Sequence, residues 1–229
     1  ATFADVFKLT IYVTRWTLDQ MPQFVAGYER AARRVGFEAR PPASLIGVEV
    51  LSKFTDMTDR STAFLFSDGA GAVVIGPSDT PAIGPTVWGS KPEDHSVIEV
   101  DDWRELEPGA DGPFIHMAGR DVFKWATTAI VEKALETLEV SGLTADELDC
   151  FIPHQANNRI TDSMLRHLKL PEDVVVARDI IQMGNSSAAS VPLAMEALLE
   201  SGQAKSGDSA LIIGFGAGLV FAGQTVILP

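Results

Sequence analysis

The chain is short of cysteine, tyrosine and positive charge. Its 229 residues include one Cys and two Tyr, and 18 Lys and Arg stand against 31 Asp and Glu. A single thiol excludes an internal disulfide framework. A net charge of −13 argues against nucleic acid and anionic membrane surfaces as partners. It would also repel an acidic carrier protein unless a local basic patch receives it. No apolar run approaches the length of a membrane span, and no stretch reads as a signal peptide. A cytoplasmic protein is the expectation. The acidic residues Asp101, Asp102, Glu105, Glu107 and Asp111 lack regular metal-ligand spacing and read as a solvated loop. Neither a metal nor a cofactor is expected.

What is present suits a globular protein with a real core. Hydrophobic residues make up 46% and charged residues 21%, and the length allows one large domain or two small ones. The most informative stretch is 150–160, Cys-Phe-Ile-Pro-His-Gln-Ala-Asn-Asn-Arg-Ile. The apolar run Leu148–Ile152 predicts a buried strand. Pro153 has no N–H to give a ladder and ends it. His154 then falls just past a strand end, where open α/β sheets bind ligands. A helix is predicted from about Asn158 to Leu168, with Ile160, Met164, Leu165 and Leu168 at helical spacing. Gln155, Ala156 and Asn157 sit at its mouth, near free backbone N–H groups.

Two more strand ends carry small or polar turns. Val174–Ala177 reads as a strand that leads on to Gly184-Asn185-Ser186-Ser187-Ala188-Ala189-Ser190, ahead of an apolar helix at Val191–Leu199. Ala210–Ile213 reads as a strand ending in Gly214-Phe215-Gly216-Ala217-Gly218. A His, an Asn and a glycine turn at one sheet edge suit a site that handles a carbonyl. Both side chains can donate to a developing oxyanion, the Gly216–Gly218 turn can offer backbone N–H groups, and glycine admits the substrate.

Elsewhere, Asp68-Gly69 predicts a hairpin between strands at Ser61–Phe66 and Gly71–Ile75. Short strands are expected at Thr86–Trp88 and Val97–Val100. One helix is expected from about Asp121 to Glu139, preceded by Phe114–Arg120. His95, His116 and His167 read as structural or exposed. Upstream, Val6–Val13 reads as a strand and about Asp19–Val35 as a helix ended by Gly36. Arg40-Pro41-Pro42-Ala43-Ser44 reads as a linker into a strand at Leu45–Leu51.

The segments PHQANNRI, GNSSAAS and GFGAGL, in this order and spacing, resemble the C-terminal half of a β-ketoacyl-ACP synthase III, a thiolase-fold condensing enzyme. DMTDRSTAFLFSDGAGAVVIG at 56–76 and HMAGRDVFKWA at 116–126 resemble the same family, so the likeness runs from about residue 47 to 229. It implies an α/β fold: a mixed five-stranded sheet between helices, made from the C-terminal half plus the last hairpin of the N-terminal half. It implies decarboxylative Claisen condensation of an acyl-CoA with malonyl-ACP in fatty acid or polyketide biosynthesis, by a dimer. His154 and Asn185 would be catalytic. Asn157 would contact pantetheine, with Ala156 beside it. Met117, Gly119 and Phe123 would flank the substrate channel, Phe215 would lie beside the nucleophile, and Gly216 would bind the substrate with them. Lys124 and Arg159 would form the basic patch that receives the carrier protein. The family's nucleophile is a Cys in the first half of the fold, at the N-terminus of a buried helix. Cys150, in the strand before His154, does not match that position and reads as a core residue.

KLTIYVT, YERAARR and PPASLIGVEVL resemble part of a RidA/YjgF-type protein. The expected division is therefore 1–51, a short α+β segment that is either a RidA-like strand-helix-strand or a divergent N-terminal part of the same fold, and 52–229, the thiolase-like ketosynthase C-terminal half. IGVEVLS at 46–52 suits either family. Ser44 stands where the RidA family carries a substrate-binding arginine, so the deaminase activity is not carried over. Two alternatives to the condensing enzyme remain: an inactive fragment or fusion without the nucleophilic Cys, and a RidA-like imine deaminase or binding module.

Overall fold

Side chains along the central strands alternate between two cores, and that alternation organises the molecule. The computed structural model describes residues 43–229. The RidA-like strand and helix expected before residue 43 lie outside the described residues. Strand β6, Cys150–Pro153, sends Phe151 to one face and Cys150 and Ile152 to the other. Strand β8, Ser209–Gly216, repeats this: Leu211, Ile213 and Phe215 join Phe151, while Ala210 and Ile212 join Cys150. Both faces are apolar because helices cover both sides.

The sheet has five strands. With β3 at Ile83–Ser90, β7 at Val175–Val176 and β9 at Val220–Ile227, the order is β3-β9-β8-β6-β7. β6 runs parallel to β7 and β8, while β9 runs antiparallel to β8 and β3. This is the mixed five-stranded sheet expected from the sequence. One face packs against α1 (Gly119–Thr127), α2 (Ala129–Ser141) and α3 (Asn158–Leu168), through Ala126, Ile130, Ala134, Leu138, Ile160 and Met164. The other face takes α5, Ser190–Glu200, through Ala194 and Leu198. Three parallel strand ends thus open on one edge, and a short helix α4, Ile180–Met183, starts beside the turn after β6, where Ile180 N–H donates to Gln155 Oε1.

By its internal contacts the chain divides into two units. Of the smaller, residues 43–45 and 73–80 are described; they are the first residues of β1 (Ala43–Val50), the last of β2 (Asp68–Ile75) and the exposed loop after Ile75. The larger unit, Ile46–Ala72 with Pro81–Pro229, holds the five-stranded sheet and both cores. Among the described residues no helix is long and apolar enough to cross a membrane.

Three local expectations are corrected. The Asp68-Gly69 pair does not turn a hairpin: it begins β2, and Ser61–Leu65 is a turn, not a strand. The Asp68 carboxylate instead accepts from the backbone N–H (2.8 Å) and hydroxyl (2.7 Å) of Ser52. Gly71 is needed for close approach, since a side chain there would run into the Pro192 ring. The expected 121–139 helix is two helices broken at Thr128 (φ −119°, ψ −79°). Thr127 and Thr128 each donate a side-chain hydroxyl to the carbonyl four residues back, Phe123 O and Lys124 O, both at 2.8 Å. Such back-bonding bends helices. Finally, β8 runs on through Phe215 and Gly216, and the turn to β9 falls at 217–219. Gly216 therefore pairs with Val220 inside the ladder and is not part of a free turn.

Candidate active site

His154 is held by backbone before its side chain is considered. Its N–H donates to Ile213 O at 2.7 Å and its carbonyl accepts from Ala156 N at 2.8 Å. Gln155 points the other way, into the protein: its amide nitrogen donates to Pro153 O (2.7 Å) and its side-chain oxygen accepts from Ile180 N (3.2 Å). A buried carboxamide with partners at both ends fixes the turn between β6 and α3. Asn157 caps α3, accepting from Arg159 N at 2.9 Å. Its Oδ1 thereby accepts one bond, and its amide nitrogen is left to donate to a ligand.

Asn185 is positioned by a piece of chain far from it in sequence. Its N–H donates to Leu65 O (2.9 Å), and its carbonyl accepts from Ser67 N (3.0 Å), as a bridge to Phe66. Gly184 precedes it at φ +72°, a conformation that disfavours a side chain, and packs against Ser67. The Asn185 side chain is oriented too. Its Oδ1 accepts from Ser187 N at 2.9 Å, which leaves Nδ2 as the free donor.

His154, Asn185 and Phe215 line one cavity of about 1060 Å³. The imidazole meets the Phe215 ring edge to face, with centroids 5.3 Å apart, and Trp125 supports Phe215 from behind at 6.0 Å. Removal from water pushes the His154 pKa down to about 4, so the ring is neutral at physiological pH. Its Nδ1 is 2.7 Å from the hydroxyl of Ser190. Two neutral donors in a largely apolar cavity can stabilise an oxyanion more strongly than water can.

The other expected residues fall as follows. Met117, Gly119, Phe123, Ala156, Asn157, Arg159 and Gly216 all line this cavity. Met117 arrives on a two-stranded sheet in which β4 (Ile98–Val100) pairs with β5 (Ile115–Met117). Lys124 does not line it. Lys124 is exposed beside a separate hollow with Lys91, Asp94 and Asp121. Cys150 is not in the cavity either. It is fully buried in the opposite core, and burial pushes its thiol up to about 11. His116 is exposed and hydrogen-bonds Asp101 at 2.7 Å. Sequence reasoning did not single out Arg120, which also lines the cavity, or Ser190. Both lie inside recognised segments, but nothing in local spacing separates them from their neighbours.

His154 just past the end of β6, Phe215 near the end of β8 and Asn185 in the loop after α4 share one cavity beside a mixed sheet, the arrangement expected of a thiolase-fold protein. Comparison with known proteins narrows this. A family model described as 3-oxoacyl-[acyl-carrier-protein] synthase III C terminal matches residues 138–228, and one described as 3-oxoacyl-[acyl-carrier-protein] synthase III matches 28–92. The beta-ketoacyl-[acyl-carrier-protein] synthase III of Streptomyces glaucescens is 56% identical over 188 residues, covering 81% of this chain and 56% of that protein. The mycobacterial synthase III of Mycobacterium marinum is 48% identical, with the same coverage. Among solved structures, the priming beta-ketosynthase of the R1128 polyketide pathway superposes with a TM-score of 0.79 at 42% identity, covering 90% of this chain and 62% of that one. The chain belongs to the 3-oxoacyl-[acyl-carrier-protein] synthase III family and spans just over half the length of the curated relatives it matches.

Proposed function

We propose that residues 52–229 carry the malonyl-handling site of a 3-oxoacyl-ACP synthase III, acting on malonyl-ACP and an acyl-CoA in fatty acid or polyketide biosynthesis. The observation that carries this reading is the pair of neutral donors, His154 and Asn185, in one cavity beside Phe215. In a malonyl thioester the bond between Cα and the carboxylate breaks and CO2 leaves. The electron pair moves onto the thioester oxygen as an enolate. His154 Nε2–H and Asn185 Nδ2–H donate to that oxygen and lower the barrier. The enolate carbon then attacks the carbonyl of an acyl thioester. The C–S bond breaks, the sulfur leaves as a thiolate that takes a proton from water, and the product is a 3-oxoacyl thioester. Cys150 lies in the opposite core, so the sulfur that holds the acyl group in this step is not Cys150.

The remaining roles follow the cavity. Met117, Gly119 and Phe123 shape its apolar wall, and Asn157 Nδ2 and Ala156 meet the pantetheine arm near the mouth. Arg159 at the cavity and Lys124 on the neighbouring surface offer the local positive charge that an acidic carrier needs, against a chain of net charge −13. The working form is a cytoplasmic homodimer. Incubating the chain with malonyl-ACP and an acyl-CoA and analysing the carrier by mass spectrometry tests the reading. CO2 release with a 3-oxoacyl-ACP product supports it. Intact malonyl-ACP at the end of the incubation overturns it.

A further inference from the structure

Ser190 is the first residue of α5 and is almost wholly buried. Its hydroxyl oxygen lies 2.7 Å from His154 Nδ1 and accepts the Gln155 backbone N–H at 3.2 Å. A serine hydroxyl has one proton to donate. Among the described residues, its only hydrogen-bond partners are these two, and Gln155 N–H is itself a donor. The hydroxyl proton therefore has a single acceptor, His154 Nδ1. Reversing that bond would leave a hydroxyl proton buried without a partner, which is unfavourable. A neutral imidazole that accepts at Nδ1 carries its proton at Nε2. Among the described residues Nε2 has no hydrogen-bond partner, and His154 lines the cavity.

We infer that Ser190 is a positioning residue that fixes the tautomer of His154, so that the imidazole presents Nε2–H to the cavity. The inference rests on the malonyl-handling role of this site, and gives the site its polarity. Without Ser190 the ring is free to carry its proton at Nδ1 and to present a lone pair to an enolate oxygen. A lone pair there repels the charge it should stabilise. The backbone of Gln155 serves the same end: by donating to the serine oxygen, it leaves the hydroxyl proton free for histidine. The arrangement links β6, the turn after it and the start of α5, three pieces of chain whose meeting is a property of the fold and not of any one motif.

Nitrogen-15 NMR of the intact chain, labelled at histidine, reads the tautomer directly and needs no turnover. The His154 resonances are identified by their loss in His154→Ala. In the unsubstituted chain at neutral pH we expect one acceptor-type Nδ1 and one protonated Nε2. A protonated Nδ1, or an even mixture, overturns the inference. Ser190→Ala should move His154 toward a mixture and leave the other three histidines unchanged, and Ser190→Thr, which keeps the hydroxyl, should restore the single pattern. An unchanged His154 pattern in Ser190→Ala overturns it as well. A chain that shows the expected tautomer but releases no CO2 from malonyl-ACP would separate this inference from the proposed reaction.

Discussion

The imidazole of His154 stands edge to face against Phe215, with ring centroids 5.3 Å apart and planes at 79°. One ring follows β6 and the other lies near the end of β8, so the parallel pairing of those strands sets the distance between them. Burial of the imidazole in the cavity wall is the physical source of its lowered pKa.

Removing either proposed oxyanion donor should cost turnover more than binding. His154→Ala and Asn185→Ala should each lower the rate of malonyl thioester decarboxylation by about 10²–10³-fold, the range seen for loss of one preorganised donor. KM should change much less, because the donors meet their charge only as the enolate forms. Steady-state measurement of CO2 release on both variants checks this.

The lowered pKa of His154 also predicts how stability depends on pH. Between the unfolded value of 6.5 and the folded value of about 4, the unfolded chain binds the proton and the folded chain does not. Stability is therefore full above pH 6.5 and falls as pH drops toward 4, by up to about 3 kcal/mol from this group. Urea unfolding of the chain and of His154→Asn, measured from pH 7 to pH 4, should show a smaller fall for the variant. Equal slopes would contradict the burial argument.

Cys150 should be dispensable for chemistry. Its thiol is buried and pushed up to about 11, so it is neither accessible nor ionised at neutral pH. Cys150→Ala should leave turnover unchanged, and iodoacetamide should label the native chain far more slowly than the urea-unfolded chain. Loss of activity on specific alkylation at Cys150 in the folded protein would contradict its placement.

Backbone geometry around Asn185 should matter as much as its side chain. Gly184→Ala forces a Cβ into a conformation at φ +72° and to 3.1 Å from Ser67. A cost of about 1–3 kcal/mol in stability is expected, together with reduced turnover in the fraction that folds, because Asn185 is held by the adjacent bridge to Phe66. Thermal unfolding with a parallel activity assay checks both.

Charge at the mouth should distinguish carrier-bound from free substrate. Arg159→Glu and Lys124→Glu should raise KM for malonyl-ACP and weaken its salt dependence, while malonyl-CoA turnover changes less for Lys124→Glu, since Lys124 lies outside the cavity.

Much of the candidate site is legible in the sequence. His154 follows an apolar run that a proline must end, and Asn185 follows a glycine, so both positions declared themselves as strand-edge turns. The two-faced burial of β6 and β8 likewise followed from their continuous apolar text. What was not legible came from longer range. Asp68-Gly69 has the local signature of a hairpin, but Ser52 takes the carboxylate and the glycines serve packing against α5. The break at Thr128 depends on which carbonyls two hydroxyls choose. Ser190 is an ordinary helix-start serine until the fold brings His154, 36 residues away in sequence, to its hydroxyl.

The most direct test is a crystal structure of the chain with a malonyl thioester analogue that cannot lose CO2. The account predicts the thioester oxygen within hydrogen-bond reach of both His154 Nε2 and Asn185 Nδ2, with the pantetheine arm passing Asn157. An analogue bound with that oxygen turned away from both side chains would contradict it.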